Sequence, residues 1–138
     1  MAKFVLTGEH LSIDSTDISA LGVLKSAELT VEAEVKDVTN HASGGWKEVL
    51  AGIKSASLKI IFFQDFAAAN IDAKMWPLIG TVVTFAMRAT SAAASATNPS
   101  YSGSILINGW NPVEGSVGDE ATVSVTYQTS GAVSRATS

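Results

Sequence analysis

Residues 28–36 read ELTVEAEVK, and their period is two. Leu29, Val31, Ala33 and Val35 alternate with Glu28, Thr30, Glu32, Glu34 and Lys36. Successive side chains of a β-strand point to opposite faces, so this alternation predicts a strand with one face on a core and one in water.

The neighbouring segments follow the same rule. In IKSASLKIIFF (53–63), Ala56, Leu58, Ile60 and Phe62 form the apolar face, opposite Ser55, Ser57 and Lys59. Ile61 and Phe63 make the far end apolar on both faces, which predicts cover on both sides there. TVVTFAMRAT (81–90) groups Val83, Phe85 and Met87, and ATVSVTYQT (121–129) groups Val123, Val125 and Tyr127. GSILINGW (103–110) is rich in strand formers, KFVLT (3–7) and HLSI (10–13) are short strand candidates, and DSTD (14–17) reads as a turn leading to ISALG.

One helix is expected in DFAAANIDAKMWPLIG (65–80), where Ile71, Met75 and Leu78 recur at helical spacing. Asp65 or Asn70 can cap its start. Pro77 cannot continue a helix without strain, so the helix should end near Trp76, with Gly80 closing the turn. ATSAAASATNPS (89–100) has no period and reads as a mobile loop; SGAVSRATS (130–138) is expected to be loose or docked only on a neighbour. With no domain boundary and no repeat, residues 1–138 read as a single mainly β domain, an antiparallel β-sandwich or barrel with one flanking α-helix.

Composition narrows the function. The formal net charge is −4, and no run of Lys or Arg exists to displace counterions from DNA. There are no cysteines, so disulfides, thiolate metal sites and Cys nucleophiles are excluded. The N-terminal apolar run is shorter than a signal peptide requires, and no stretch approaches a membrane span, so a soluble product without a membrane partner is expected.

A search for chemistry yields little. His10 and His41 are the only imidazole bases, and no G-x-S-x-G stretch accompanies them. His41, Ser43 and Asp37 are the best trio, but residues this close in one loop seldom hold triad geometry. Asp14 and Asp17 share a turn without the Gly and terminal Glu of a calcium loop. EGSVGDE (114–120) has glycines but three acids, and it leads into a strand, so it reads as a hairpin loop rather than a phosphate cradle. No cofactor, no metal and no catalytic residue are expected. Trp76 and Trp110 are expected in the core. Trp46 follows Gly44-Gly45 in the loop NHASGGWKEVLAG (40–52); unless that loop folds back over it, Trp46 is exposed for a partner, or for a glycan on a carbohydrate-binding sandwich.

Two features remain. Glu28, Glu32 and Glu34 share one strand face, which must stay wet. The prolines, Pro77, Pro99 and Pro112, leave strand centres unprotected, so edges could pair between subunits and close a ring.

The order of segments, with SAELTVEAEVKDVTN followed by SGGWKEVLAG and KSASLKIIF, resembles the major tail tube proteins of long-tailed bacteriophages over roughly residues 3–128. The sharpest part is TNHASGGWKEVLAGIKSASLKI. Ser15 departs from the pattern, since Gly is common in such turns. The resemblance implies a β-sandwich with a flanking helix, related to the ring protein of type VI secretion, which is the alternative reading. It further implies hexameric rings stacked into a virion tail, made in the host cytoplasm, with tape-measure and tail-terminator or baseplate proteins as partners and DNA passing through unbound. Carried over, Glu28, Thr30, Glu32, Glu34, Lys36, Ser55, Ser57 and Lys59 would face the lumen. The loop 38–52, with Asn40, His41, Ser43, Gly44, Gly45, Trp46, Lys47 and Glu48, would reach a neighbouring subunit or ring.

Overall fold

The computed structural model describes residues 3–138. Eight strands form two antiparallel sheets. The five-stranded sheet runs β2 (Thr16–Asp17), β1 (His10–Ile13), β5 (Val82–Arg88), β6 (Ser100–Leu106), β8 (Ser134–Ala136). The three-stranded sheet runs β3 (Leu24–Asp37), β4 (Val49–Phe63), β7 (Thr122–Gln128). Just past β7, Thr129 bridges to Ile105 and Ser130 N–H donates to Ser104 O at 2.9 Å, which ties the two sheets at one corner.

The alternating apolar residues of β4, β5 and β7 meet between the sheets. Leu58, Ile60, Phe62, Phe85, Val123 and Tyr127 are all buried. Each such side chain contributes roughly 1.5–3 kcal/mol by leaving water. A short helix α1 (Ile71–Met75) seats Ile71 and Met75 at one end of the core, beside Trp110. The Trp110 ring lies 5.7 Å from that of Phe62, and its Nε1 donates to Asp72 Oδ1 at 2.9 Å.

Several expectations need correction. The helix spans five residues: Asn70, the later of the two candidate caps, is its N-cap, and Pro77 converts the chain to a 3-10 turn over Trp76–Leu78, the end expected near Trp76. Residues 65 and 66 are irregular and 67–69 are bend and turn, with Asp65 accepting from Ala67 N–H. Trp76 is exposed, not core. Residues 3–7 make no ladder, and Phe4, Val5 and Leu6 are exposed. The strand expected at 103–110 is β6, shifted to Ser100–Leu106. Its first residue comes out of the loop 89–100, which wraps around buried Asn98; the Asn98 amide donates to Ala92 O at 2.9 Å and accepts from Thr90 N–H at 3.3 Å.

The C-terminal tail is neither loose nor dependent on a neighbour: β8 pairs with β6 of its own chain, Tyr101 opposite Arg135. Phe63 remains 38% exposed, covered in part by the Lys25 ammonium 5.5 Å from its ring centre. Ser15 does not loosen the first hairpin. Asp14 and Ser15 take φ of 52° and 63° between Ile13 and Thr16, the double positive φ of a two-residue hairpin turn.

Candidate functional site

β3 and β4 have 14 and 15 residues, while β5, β6 and β7 have seven each. The hairpin they form therefore outruns the sandwich and projects as an arm. This overturns part of the face assignment. Leu29 is half-buried on the core, but Val31, Ala33 and Val35 beyond it are exposed. The loop expected over 38–52 is shorter as well, because Val49–Gly52 already belongs to β4 and pairs back to Val35, Lys36 and Asp37.

The tip is fixed by its own hydrogen bonds. Val38 N–H donates to Glu48 O at 2.9 Å, and Glu48 N–H to Thr39 Oγ1 at 2.9 Å. Asn40 Oδ1 accepts from Ala42 N–H at 2.9 Å, and Asn40 N–H donates to Ser43 Oγ at 3.0 Å, capping a 3-10 turn over His41–Ser43. Gly44 and Gly45 follow with φ of 66° and 85°, left-handed values that would strain a side chain. They turn the chain so that Trp46 is presented at 81% exposure, with Lys47 and Glu48 beside it. Ser43 Oγ and Asp37 Oδ1 are both engaged by loop backbone, the latter by Thr39 N–H, so the His41 trio forms no relay.

The second component is the sheet face that carries the acids. Register places Glu28 opposite Lys59, Thr30 opposite Ser57 and Glu32 opposite Ser55. A bulge between Ala33 and Val35 sets Glu34 against Gly52, where an added Cβ would come within 3.1 Å of the Glu34 Cβ. Lys36 ion-pairs with Glu34. All eight residues expected on one face are therefore brought together, and β7 extends the face, with Thr126 opposite Lys59 and Gln128 opposite Ser57. The face is less acidic than three glutamates imply: Lys59 opposes Glu28 and Lys36 holds Glu34, leaving Glu32 without a cationic neighbour in the register.

Apolar residues on the arm escaped the sequence reading. Val31, Val35, Val49, Leu50 and Ile53 are between 50% and 79% exposed. Val31 and Val35 belong to the alternation that was expected to face the core, so the period itself carried no sign of their exposure.

Among the described residues, the candidate groups do not come together as a reactive centre. Asp17 Oδ1 accepts from Ser19 Oγ and Ala20 N–H and lies 3.6 Å from His10 Nδ1, so it closes a turn. The Ser19 hydroxyl, ahead of His10, holds its carboxyl below the usual range. Among the described residues, no group of three or more His, Cys, Asp or Glu is placed to hold a metal, and no helix is long and apolar enough to cross a membrane. An open cleft of about 450 Å³ between Leu6, Leu29, Val31, Met87 and Tyr101 contains Glu9, whose carboxyl is pushed up by burial, against a backbone hydrogen bond from Ala27.

A family model described as phage tail tube protein matches residues 4–135. Among solved structures, a chain in the virion of a native gene transfer agent particle is 22% identical. The match covers 93% of this chain and 95% of that one, with a TM-score of 0.72. A chain from the tail of an empty gene transfer agent particle, refined helically with C6 symmetry, is 26% identical. There the coverage is 81% of each chain and the TM-score 0.63. No curated protein matches.

Proposed function

The chain belongs to the phage tail tube protein family, structural components of the virion tail rather than enzymes, and from that premise we propose that it forms hexameric rings that stack into a conduit for DNA. The gene transfer agent tail of similar fold has sixfold symmetry, which supports the ring number. A ring of identical subunits needs two different, complementary surfaces on each subunit. The outer edges of β3 and β7 supply such a pair, because they bound the same sheet on opposite sides. Joined head to tail they continue that sheet around an axis.

The single observation that carries the proposal is the face of this sheet. It is wet, rich in hydroxyls, and carries Glu28 opposite Lys59, Glu34 ion-paired with Lys36, and Glu32 opposite Ser55. Turned inward, it offers passing phosphates no cation cluster on which to condense, and the net repulsion is mild. The arm, with Trp46 at its tip, reaches the adjacent subunit or ring, where its exposed valines, Leu50 and Ile53 leave water.

The test is Glu28→Lys/Glu32→Lys/Glu34→Lys. All three side chains are solvent-facing, so tubes should still form, while DNA delivery slows or stops as phosphates adhere to a cationic wall. Delivery at the wild-type rate through tubes of the triple variant would overturn the lumen assignment.

A further inference from the structure

The free edge of β7 is occupied in the isolated subunit, and the occupant is not a strand. Thr129 N–H donates to Ala56 O at 3.0 Å, and Ala121 O accepts from Gln64 N–H at 2.9 Å, so odd-numbered backbone groups here point toward β4. By the alternation of an antiparallel ladder, Thr122, Ser124, Thr126 and Gln128 point theirs to the outer edge, which is tied to β6 just beyond Gln128 and otherwise unpaired by a strand. Such an edge is a template for a further strand unless something blocks it.

At Ser124 both groups are taken. Its N–H donates to Glu114 Oε2 at 3.3 Å, and its C=O accepts from Asn111 Nδ2 at 3.3 Å. Both side chains come from residues 107–121, a segment without regular structure. The segment is pinned where they emerge. Gln64 Nε2 donates to Pro112 O at 2.7 Å, and buried Trp110 anchors the preceding turn. Asn111 and Glu114 therefore lie where a neighbouring strand, about 4.8 Å away, would have to run. A shallow groove of about 170 Å³, lined by Asn108, Asn111, Ser124 and Thr126 among others, follows the same edge.

We propose that Glu114 and Asn111 form a removable plug on the β7 edge. The two side chains hold the backbone groups that the edge strand of a second copy must pair with, and so keep free subunits from adding to one another. Both side chains are exposed and can exchange Ser124 for water, so a growing ring that presents its strand displaces them readily. The plug rests on the tube reading above, since it acts on the edge that reading assigns to subunit pairing.

The experiment compares wild type with Glu114→Ala, Asn111→Ala and Glu114→Gln, which keeps an acceptor for the Ser124 N–H. Two quantities are read: amide exchange at Ser124 in the monomer, and the critical concentration for tube formation without initiating proteins. Glu114→Ala should speed Ser124 exchange and lower the critical concentration roughly two- to tenfold, the range set by one hydrogen bond. Asn111→Ala should lower the critical concentration similarly, and Glu114→Gln should stay near wild type. Unchanged exchange of the Val123 and Val125 amides reports that the fold is retained; if Glu114→Ala does not fold, Asn111→Ala decides. Wild-type tubes with an unchanged or raised critical concentration in the Ala variants would overturn the plug alone. Wild-type protein that stays monomeric at every concentration would overturn the tube reading, and the plug with it.

Discussion

Trp46 stands 81% exposed on two left-handed glycines, with no contact to its own core to lose. Trp46→Ala should change monomer stability by no more than about 0.5 kcal/mol, yet impair tube formation; tubes assembling at the wild-type concentration would refute its role as an anchor. Its exposure was legible, because a bulky side chain after Gly-Gly in an inter-strand loop has no core to enter. Trp76 was misread. It follows buried Met75 by one residue, about 100° around a helix, so packing Met75 inward turns Trp76 out, where it is 61% exposed. Tyr127 makes a third case. Burial pushes its phenol above the ordinary value, and its hydroxyl donates to Gly109 O at 2.9 Å. The folded state keeps a proton that the unfolded chain releases. Tyr127 therefore adds stability in full below about pH 10 and loses it as pH rises further. Urea unfolding across that range should show the decline in wild type and a flatter profile in Tyr127→Phe, at a cost of about 1 kcal/mol for the hydrogen bond at neutral pH. Equal alkaline slopes in the two proteins would contradict this.

Strands with clean alternation and buried inner faces, β4, β5 and β7, were readable to within a few residues because burial imposes their period. The elements that were missed draw on other forces. β8 pairs by backbone, Ser100 with Ala136 and Ser102 with Ser134, with one side-chain bond in which Arg135 Nε donates to the Tyr101 hydroxyl at 3.3 Å; all three of its residues are exposed, so no apolar period marks it. What fits it to the sheet is Gly103: a Cβ there would sit 3.2 Å from both Ala132 O and Phe85 Cε1. Gly103→Val should push the tail off β6 and destabilise the fold by about 1–3 kcal/mol, with faster amide exchange at residues 134–136. Wild-type stability with the tail still protected would mean the close approach carries no weight. The arm was half legible. The alternation in 28–36 gave the strand and its polar face, but periodicity cannot tell an apolar face covered by its own core from one awaiting another subunit.

At the scale of the whole molecule, the unmet surfaces share one theme. The outer edges of β3 and β7 bound one sheet, the arm exposes valines, Leu50, Ile53 and Trp46, and the wet face between them carries near-balanced charge. A monomer built this way leaves these surfaces for its neighbours to cover, and a formal charge of −4 opposes non-specific association meanwhile. The mainly β fold could be read from sequence, whereas the proposed closing of β3 on a neighbour's β7 would lie between chains and leaves no period to read. Electron cryomicroscopy of concentrated, purified protein would show both the ring and the orientation of its sheet. Sixfold tubes are expected, with Glu28, Glu32 and Glu34 lining the channel and Trp46 buried against an adjacent subunit. Tubes with that face turned outward, or protein that remains monomeric throughout, would contradict this.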